Sequence, residues 1–301
     1  MSDAVRVSSV SYFFDREAVL QDLSFSVPSG SIYGLLGSNG CGKSTTVRLL
    51  MGLLRRRSGQ VEVLGIDPAR DPVELKHNVG YVAENPSFYP WMRVGELLAF
   101  VAGQRPNWDP EYASRLLTAF GLSVAPRIRE LSKGQRALVA LLLAVAFRPK
   151  LLILDEPTSA LDPLARRLFL SSVLAEYQED GGTILICSHL IHEIAGLVDH
   201  VGLLKDGRMH LSLPVDTLRA SVRRFRWVLG DAPSPETAPK VRCPGLLHTT
   251  VVGRQVSATV FLQDRSEAEI RSILSGDAPS RIDSEPLSFE DCVLELLAEG
   301  D

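Results

Sequence analysis

Apolar residues along the chain form short continuous runs, separated by stretches with helical spacing. The runs cover residues 32–36, 79–82, 151–154 and 183–187. Strands that are buried on both faces have continuous apolar runs of this length, and their alternation with helices is typical of a largely parallel sheet. The pattern therefore predicts an α/β fold, in which ligands bind beyond the carboxyl ends of the strands.

The first run leads directly into a glycine-rich segment with the spacing G-x-x-x-x-G-K-S, and a helix is predicted over 47–54. Glycines let backbone N–H groups turn toward phosphate oxygens, and a helix that follows directs the positive end of its dipole at the same anion. Lys43 is expected to reach the β- and γ-phosphates, and the Ser44 hydroxyl to ligate Mg²⁺. The residues predicted to hold the phosphates are Gly37, Ser38, Asn39, Gly40, Cys41, Gly42, Lys43, Ser44 and Thr45. The alternative, a glycine turn that arose by chance, is disfavoured by the strand and helix on either side.

Ionisable residues follow the other three runs. Glu84 comes after the second run, Asp155 and Glu156 after the third, and His189 after the fourth. If these strands are neighbours, their ends meet around the phosphates. Asp155 is then predicted to hold Mg²⁺, Glu156 to polarise the attacking water, and His189 to hydrogen-bond the γ-phosphate. Taken singly, each acid could be a turn residue or helix cap and the histidine a structural one, but their order after the glycine motif favours a catalytic site.

Three further motifs complete an ordered set. They are LSKGQ at 131–135, SALD at 159–162 and SH at 188–189. Together with the glycine motif and the strand that ends in Asp155, this order resembles the ATP-binding cassette (ABC) family over residues 4 to about 214. LSKGQ looks like the family's signature, SALD like its D-loop and SH like its switch histidine.

The resemblance adds contacts to the nucleotide site and implies two ATP molecules bound with Mg²⁺. The added residues are Phe14, Ser132, Gly134, Gln135 and Asp162. Phe14 matches the aromatic residue that stacks on adenine, although Tyr12 and Phe13 leave that register open. In the family, two protomers pack head to tail, so that the signature of one meets the nucleotide held by the other. A homodimer and a heterodimer are both compatible with this.

Three positions depart from the family pattern. Glu84 stands in the Q-loop, where glutamine is most common, and we expect it to remain a metal or water contact. Lys133 replaces the first glycine of the signature. Val139 stands where many relatives have a basic residue, and is predicted to pack in the core. Within the family, the sequence most resembles the ATPases of ABC-2-type exporters. This closer resemblance is suggested by the LSKGQ form, by Glu84 and by the segment LSFED at 287–291.

The resemblance also implies the domain organisation. A P-loop NTPase core of the ABC ATPase type is predicted over 1–215, with a mostly parallel sheet, an N-terminal antiparallel β region and an inserted helical subdomain at about 86–150. Beyond the part that the resemblance covers, a change in sequence character after residue 207 predicts a small α+β accessory domain over 216–301. The aromatic loop 85–92 is expected either to pack within the helical subdomain or to receive a short coupling helix from a membrane subunit.

Local signals organise the accessory domain. A loop is predicted over 230–239, a strand over 256–262, a helix that a capping box opens at 266–269, and a final helix with an apolar stripe from residue 289. No catalytic constellation occurs in it. It could support dimerisation or regulation, or simply stabilise the chain.

Composition narrows the possible partners. The net charge of −4 gives no general reason to bind nucleic acid. The arginines at 55–57 are predicted to complement the dipole at the end of the helix after the glycine motif. The four cysteines form no CxxC pair, which disfavours a disulfide framework and fits a reducing cytoplasm. The longest apolar run, 137–147, is too short to span a bilayer, and the first residues lack the pattern of a signal peptide.

Cys41 lies within the glycine motif, beside Lys43 and the start of a helix. Both neighbours favour a thiolate, so we expect a reactive thiol that bound MgATP protects. The alternative is a small side chain that is turned into the core.

The sequence therefore predicts a cytoplasmic, Mg²⁺-dependent ATPase subunit of an ABC transporter, peripheral on the inner face of the membrane through a permease on a separate chain. A DNA-repair or chromosomal ABC ATPase would need a coiled coil or DNA-binding module, and a translation-type protein normally carries two cassettes. A non-hydrolysing nucleotide sensor is disfavoured by Glu156 and His189.

Overall fold

The computed structural model of the protein describes residues 2–159, 161, 166, 169, 177, 179–229, 241–274 and 281–298. Backbone contacts divide the chain into two units. The first comprises Met1–Leu190 and Gly196–Ser212, and the second comprises Ile191–Ala195 and Leu213–Asp301. The predicted domain limits, at 215 and 216, stay a prediction.

The described strands and helices are numbered in chain order. The strands are β1 (Asp3–Phe14), β2 (Glu17–Pro28), β3 (Ile32–Leu36), β4 (Ser58–Val63), β5 (Val79–Val82), β6 (Leu151–Asp155), β7 (Thr183–Ser188), β8 (His200–Lys205), β9 (Arg208–Pro214), β10 (Val222–Val228), β11 (Leu246–Val252), β12 (Gln255–Phe261) and β13 (Asp283–Pro286). The helices are α1 (Lys43–Leu50), α2 (Pro72–Asn78), α3 (Val94–Ala102), α4 (Pro110–Ala119), α5 (Lys133–Val145), α6 (Ile191–Ile194), α7 (Val215–Ser221), α8 (Glu267–Leu274) and α9 (Phe289–Ala298). A 3₁₀ turn covers Ile128–Glu130.

A six-stranded sheet forms the core of the first unit, in the order β5-β6-β7-β3-β8-β9. Every residue of β3, β6 and β7 is buried, as their continuous apolar runs predict. Strands β5, β6, β7, β3 and β8 run parallel to one another. A second sheet, β2-β1-β4, is antiparallel. The predicted fold class is confirmed, including the N-terminal antiparallel region.

Helices α3, α4 and α5 fall within the stretch predicted to be a helical subdomain. Asp109 caps α4 by accepting a hydrogen bond from the backbone N–H of Tyr112 at 2.8 Å, directly before a proline at the first helical position. Helix α5 is accessible to solvent only in its first turn, because residues 137–145 are all buried. Val139, at 1% exposure, packs in the core as predicted.

The second unit has a four-stranded sheet in the order β11-β12-β10-β13, with antiparallel pairing throughout. One face of the sheet contributes Phe225 and Val256 to an apolar cluster that Ile270 of α8 completes. The predicted capping box opens α8: the Ser266 hydroxyl accepts from the N–H of Glu269 at 3.2 Å, and the Glu269 carboxylate accepts from the N–H of Ser266 at 2.7 Å. The loop predicted over 230–239 lies outside the described residues.

Helix α1 begins at Lys43 and ends at Leu50, earlier than the predicted 47–54. The interpretation of the arginines at 55–57 as partners of its dipole is therefore wrong, because they lie beyond the last turn. The Arg56 guanidinium instead donates two hydrogen bonds to the Asp67 carboxylate, at 2.9 and 2.8 Å. The guanidinium of Arg57 lies 5.1 Å from the centre of the Phe13 ring. No described helix combines the length and the apolar character needed to cross a bilayer.

The Arg56–Asp67 pair predicts a pH-dependent contribution to stability. Hydrogen bonding to Arg56 lowers the pKa of Asp67 below its ordinary value. The pair therefore contributes fully to the free energy of unfolding above the pKa of an unfolded aspartate, about 3.9. This contribution is lost as the pH falls through the pKa of Asp67 in the folded protein. We expect Asp67→Asn to cost about 1 kcal/mol at pH 7, or roughly 2–4 °C in Tm, and the difference from wild type to narrow below about pH 4.

Thermal unfolding of both proteins between pH 3.5 and 7 measures this difference. Glu17→Gln, at an exposed carboxylate of β2, is the control and should shift Tm little at any pH. A constant difference between Asp67→Asn and wild type across the range would contradict the electrostatic origin.

Candidate functional site

The register of the parallel strands determines where the site lies. Leu36, the last residue of β3, is beside Ser188 of β7, and Asp155, the last residue of β6, is beside Cys187. The residues that follow these strands therefore meet at one edge of the sheet. A cavity of about 320 Å³ opens there. Its described lining consists of Val19, Asn39, Gly40, Gly42, Lys43, Ser44, Thr45, Glu84, Glu156 and His189.

Lys43 is buried at the centre of this edge, with 6% exposure. Its Nζ donates to the carbonyl oxygen of Gly37 at 2.9 Å and to that of Ser38 at 3.1 Å. It also lies 3.8 Å from Oε1 of Glu156. A buried ammonium group needs such partners, because desolvation without them is costly. The glycine loop is thus folded around the lysine that the motif predicts as a phosphate ligand.

Glu156 connects Lys43 to His189. Its Oε1 lies 2.8 Å from Nδ1 of His189, and the Ser188 hydroxyl donates to its Oε2 at 3.4 Å. The backbone of Glu156 is in the left-handed region, at φ +48°, which costs a non-glycine residue about 1–3 kcal/mol, and of the eight described non-glycine residues with positive φ it is the one that lines the cavity. The carboxylate is 7% exposed and faces the cavity. A general base or water-orienting group is expected in such a position.

Asp155 lies beside the cavity and is linked to it through Ser44, whose Oγ donates to Oδ1 of Asp155 at 3.2 Å. Burial raises the pKa of Asp155, the hydrogen bond from Ser44 opposes this, and the charges of Glu156 and Glu84 add to the increase. Carboxylate and hydroxyl oxygens are the ligands that Mg²⁺ prefers. Within the described residues no group of three or more His, Cys, Asp and Glu side chains is arranged to hold a metal. A cation held by Ser44, Asp155 and Glu84 therefore fits only with phosphate and water oxygens as further ligands.

Two glycines of the loop leave no room for a side chain. A Cβ at Gly37 would lie 2.3 Å from the carbonyl oxygen of Leu204 and 2.6 Å from Sγ of Cys41. Gly42 has a φ of +112°, and a Cβ there would lie 2.6 Å from Cδ2 of Leu20. Glycine is therefore required at these two positions of the motif by packing within the protein, as well as by the close approach of a ligand.

The expectation of a reactive thiol at Cys41 is wrong. The side chain is 5% exposed and belongs to the apolar core cluster that also contains Leu20 and Leu35. Burial raises the pKa of its thiol, and the charge of Lys43 only partly offsets this effect. Cys41 is not part of the described lining of the cavity, and its backbone N–H and C=O bond the carbonyl of Ser38 and the N–H of Gly207.

The residues assigned by resemblance lie elsewhere. Ser132 caps α5: its Oγ accepts from the N–H of Gln135 at 3.1 Å, and Oε1 of Gln135 accepts from the N–H of Ser132 at 2.9 Å. Neither these two residues nor Gly134 is part of the described lining of the cavity. Phe14 is 50% exposed at the end of β1, against Tyr12, and is also not part of that lining. Asp162 lies outside the described residues.

Sequence reasoning missed Val19, which lines the cavity from β2. No motif contains it, and an alternating strand does not indicate which apolar residue faces a ligand. It also missed the Ser188 hydroxyl, which bonds both Glu156 and the N–H of Leu190. The position of Ser188, between the apolar run of β7 and the predicted histidine, is the feature of the sequence that could have indicated its role.

Known proteins share this arrangement of motifs and sheet. The sequence profile of a family described as ABC transporter matches residues 20–159. The bacitracin transport ATP-binding protein BcrA of Bacillus licheniformis is 31% identical over 227 residues, which are 75% of this chain and 74% of that protein. This chain belongs to the ABC transporter family of ATP-binding proteins.

Two further comparisons extend the similarity of this ABC protein. The linearmycin resistance ATP-binding protein LnrL of Bacillus subtilis (strain 168) is 27% identical over 301 residues, covering 98% of this chain and 90% of that protein. A solved ATP-binding subunit of an ABC transporter is 30% identical, with a TM-score of 0.67, over 72% of this chain and 92% of its own. The predicted family is thereby confirmed, while the roles of individual site residues stay predictions.

The burial of Cys41 in this ABC protein predicts its reactivity. A maleimide should modify Cys41 at least about tenfold more slowly than Cys243, which is partly exposed in the second unit, because the Cys41 side chain is buried and the reagent cannot reach it. Saturating MgATP should change the rate at Cys41 little. Timed labelling followed by peptide mapping measures both rates. Rapid modification of Cys41 that MgATP abolishes would contradict the buried conformation.

Proposed function

We propose that this ABC protein hydrolyses ATP with Mg²⁺ and thereby powers an exporter permease carried on a separate chain, of the ABC-2 type. The proposal of ATP hydrolysis rests on one observation. Glu156 lies 3.8 Å from Lys43 and 2.8 Å from His189, and all three residues line a cavity together with residues of the glycine loop. The Ser44–Asp155 hydrogen bond supplies oxygen ligands beside it. This set contains a phosphate ligand, a base and a metal-binding pair.

Each side chain has a role that follows from its chemistry. Lys43 and the loop N–H groups bind the phosphates, and the Lys43 ammonium offsets charge that develops on them. Glu156 accepts a proton from the attacking water or orients it, while His189 holds the Glu156 carboxylate and contacts the terminal phosphate. Mg²⁺, when bound by Ser44, Asp155 and Glu84, supplies charge neutralisation between the phosphates. Ground-state pairing of Glu156 with Lys43 keeps the base in position before the nucleotide arrives.

The separation of the signature from the cavity supports a dimer. The signature residues open α5, where two of them form a capping box, and Ser132 and Gln135 are exposed. A helix N-terminus with exposed N–H groups is suited to bind an anion. In a head-to-tail pair of protomers this terminus contacts the nucleotide of the partner, and the bound ATP then favours the closed dimer. The pair is either a homodimer or a heterodimer.

A groove in the first unit supports docking of the permease. It has a volume of about 350 Å³ and is mainly apolar, with Phe88, Pro86 and Ala83 from the segment after β5 on one side and Val101 of α3 on another. Next to it in sequence, Tyr89 and Trp91 are 53% and 63% exposed. Aromatic residues are enriched at protein interfaces. The groove continues the segment that carries Glu84, so a docked coupling helix would be linked to the nucleotide cavity.

The exporter assignment rests on relatives. BcrA is named for bacitracin transport and LnrL for linearmycin resistance, and both names fit the removal of a compound from the cell. The transported compound would contact the permease and not this chain. We propose that the chain lies at the inner face of the membrane, with membrane contact only through the permease and with no nucleic-acid partner. An adjacent gene for a six-span membrane protein would support this assignment, and its absence would weaken it.

Glu156→Gln tests the catalytic assignment. It removes the base and keeps the shape of the side chain, so turnover should fall about 10²- to 10⁴-fold while ATP still binds. With ATP and Mg²⁺ the variant should accumulate as a dimer. Phosphate release and light scattering after size exclusion measure the two effects. Glu62→Gln, at an exposed carboxylate of β4, is the matched control and should behave as wild type. Undiminished hydrolysis by Glu156→Gln, with only monomer present, would refute the proposal.

A further inference from the structure

Negative charge outweighs positive charge around the proposed nucleotide cavity. Glu84 and Glu156 line the cavity, and Asp155 joins it through the hydroxyl of Ser44. Lys43 is the only lysine or arginine in the described lining. Two carboxylates that line the cavity and a third beside it thus surround a single ammonium group.

The ammonium of Lys43 is already engaged by neighbouring oxygen atoms. It donates to two loop carbonyls, of Gly37 and Ser38, at 2.9 and 3.1 Å, and lies 3.8 Å from the Glu156 carboxylate. Its charge is therefore largely offset within the protein. An incoming polyphosphate meets the loop N–H groups, which attract it, and the uncompensated carboxylates, which repel it.

Glu84 is the carboxylate of this set that has neither an ion pair nor a side-chain hydrogen bond among the described residues, whereas Glu156 lies near Lys43 and Asp155 accepts from Ser44. Glu84 is exposed and lies two residues after the end of β5. Glutamine at this position would keep the side-chain length and an oxygen ligand, remove the charge and add a hydrogen-bond donor. Both side chains can offer an oxygen atom to a metal. Relative to glutamine, glutamate at this position therefore contributes a negative charge.

We propose that Glu84 makes the cavity discriminate between nucleotide with and without a divalent cation, so that metal-free ATP is rejected and the metal complex is accepted. The inference rests on the proposed function, since it concerns the same cavity. A divalent cation cancels two charges of the phosphates and converts the Glu84 carboxylate from a repelling group into an attracting one. Charges that line a cavity of this size are separated by about one Debye length or less, which is roughly 8 Å at physiological salt. Salt therefore screens their interaction with a bound phosphate only in part.

The experiment compares nucleotide affinity in two conditions. Imido-ATP, a non-hydrolysable analogue, is titrated into the full chain by calorimetry, once with excess Mg²⁺ and once with EDTA at matched ionic strength. The ratio of Kd in EDTA to Kd in Mg²⁺ is determined for wild type, Glu84→Gln and Glu84→Asp. Glu62→Gln, on β4 and outside the described lining of the cavity, is the control for loss of one negative charge.

We expect the ratio to fall about fivefold or more in Glu84→Gln, with metal-free imido-ATP binding more tightly than to wild type. Glu84→Asp keeps the charge and should keep most of the ratio, and Glu62→Gln should leave it unchanged. Equal ratios in wild type and Glu84→Gln would overturn the inference. It would also be overturned if the ratio fell only through weaker binding in Mg²⁺, because Glu84 would then act as a metal ligand alone. If wild type bound no imido-ATP even with Mg²⁺, the proposed function itself would fail.

Discussion

A lysine ammonium that is almost fully buried must be surrounded by oxygen atoms, and this requirement at Lys43 organises the site. The loop carbonyls of Gly37 and Ser38 turn toward its Nζ, and Glu156 lies 3.8 Å away. Glu156 in turn holds His189 at 2.8 Å. Phosphate oxygens offer the same kind of partner as these carbonyls. This arrangement thus places Lys43 where a phosphate can replace the internal partners.

The sheet makes this arrangement possible, because side chains from distant parts of the chain reach Lys43 only if their strands end together. Strand β7 lies between β3 and β6, and parallel pairing aligns Leu36 with Ser188 and Asp155 with Cys187. All three strands are buried, so a slip in register would move apolar side chains and the ionisable groups together. Packing of the core and geometry of the site are therefore determined by the same hydrogen-bonded register.

The parts of the site that local sequence specifies could be predicted. A glycine motif between an apolar run and a helix identifies a phosphate loop, and acids after buried strands indicate residues at one edge of the sheet. Strand β3 and strand β5 have the predicted bounds, because continuous apolar runs end abruptly. The start of α1 was misplaced, since the glycines that precede it mask where helical geometry begins.

Properties that depend on packing could not be predicted. The neighbours of Cys41 in sequence favour a thiolate, but its three-dimensional neighbours are apolar and burial prevails. Arg56 was assigned to a helix dipole, and its partner Asp67 lies eleven residues away across β4. Val19 contributes to the cavity through the position of β2, which no motif encodes.

The most direct measurement of the central claim is a crystal structure of the Glu156→Gln chain with MgATP. The account predicts ATP in the cavity at the end of β3, with Nζ of Lys43 within hydrogen-bond distance of the β- and γ-phosphates and no longer on both loop carbonyls. It also predicts His189 turned from residue 156 toward the terminal phosphate. ATP bound elsewhere, or bound in the cavity while Lys43 keeps the carbonyls of Gly37 and Ser38 as its only partners, would contradict it.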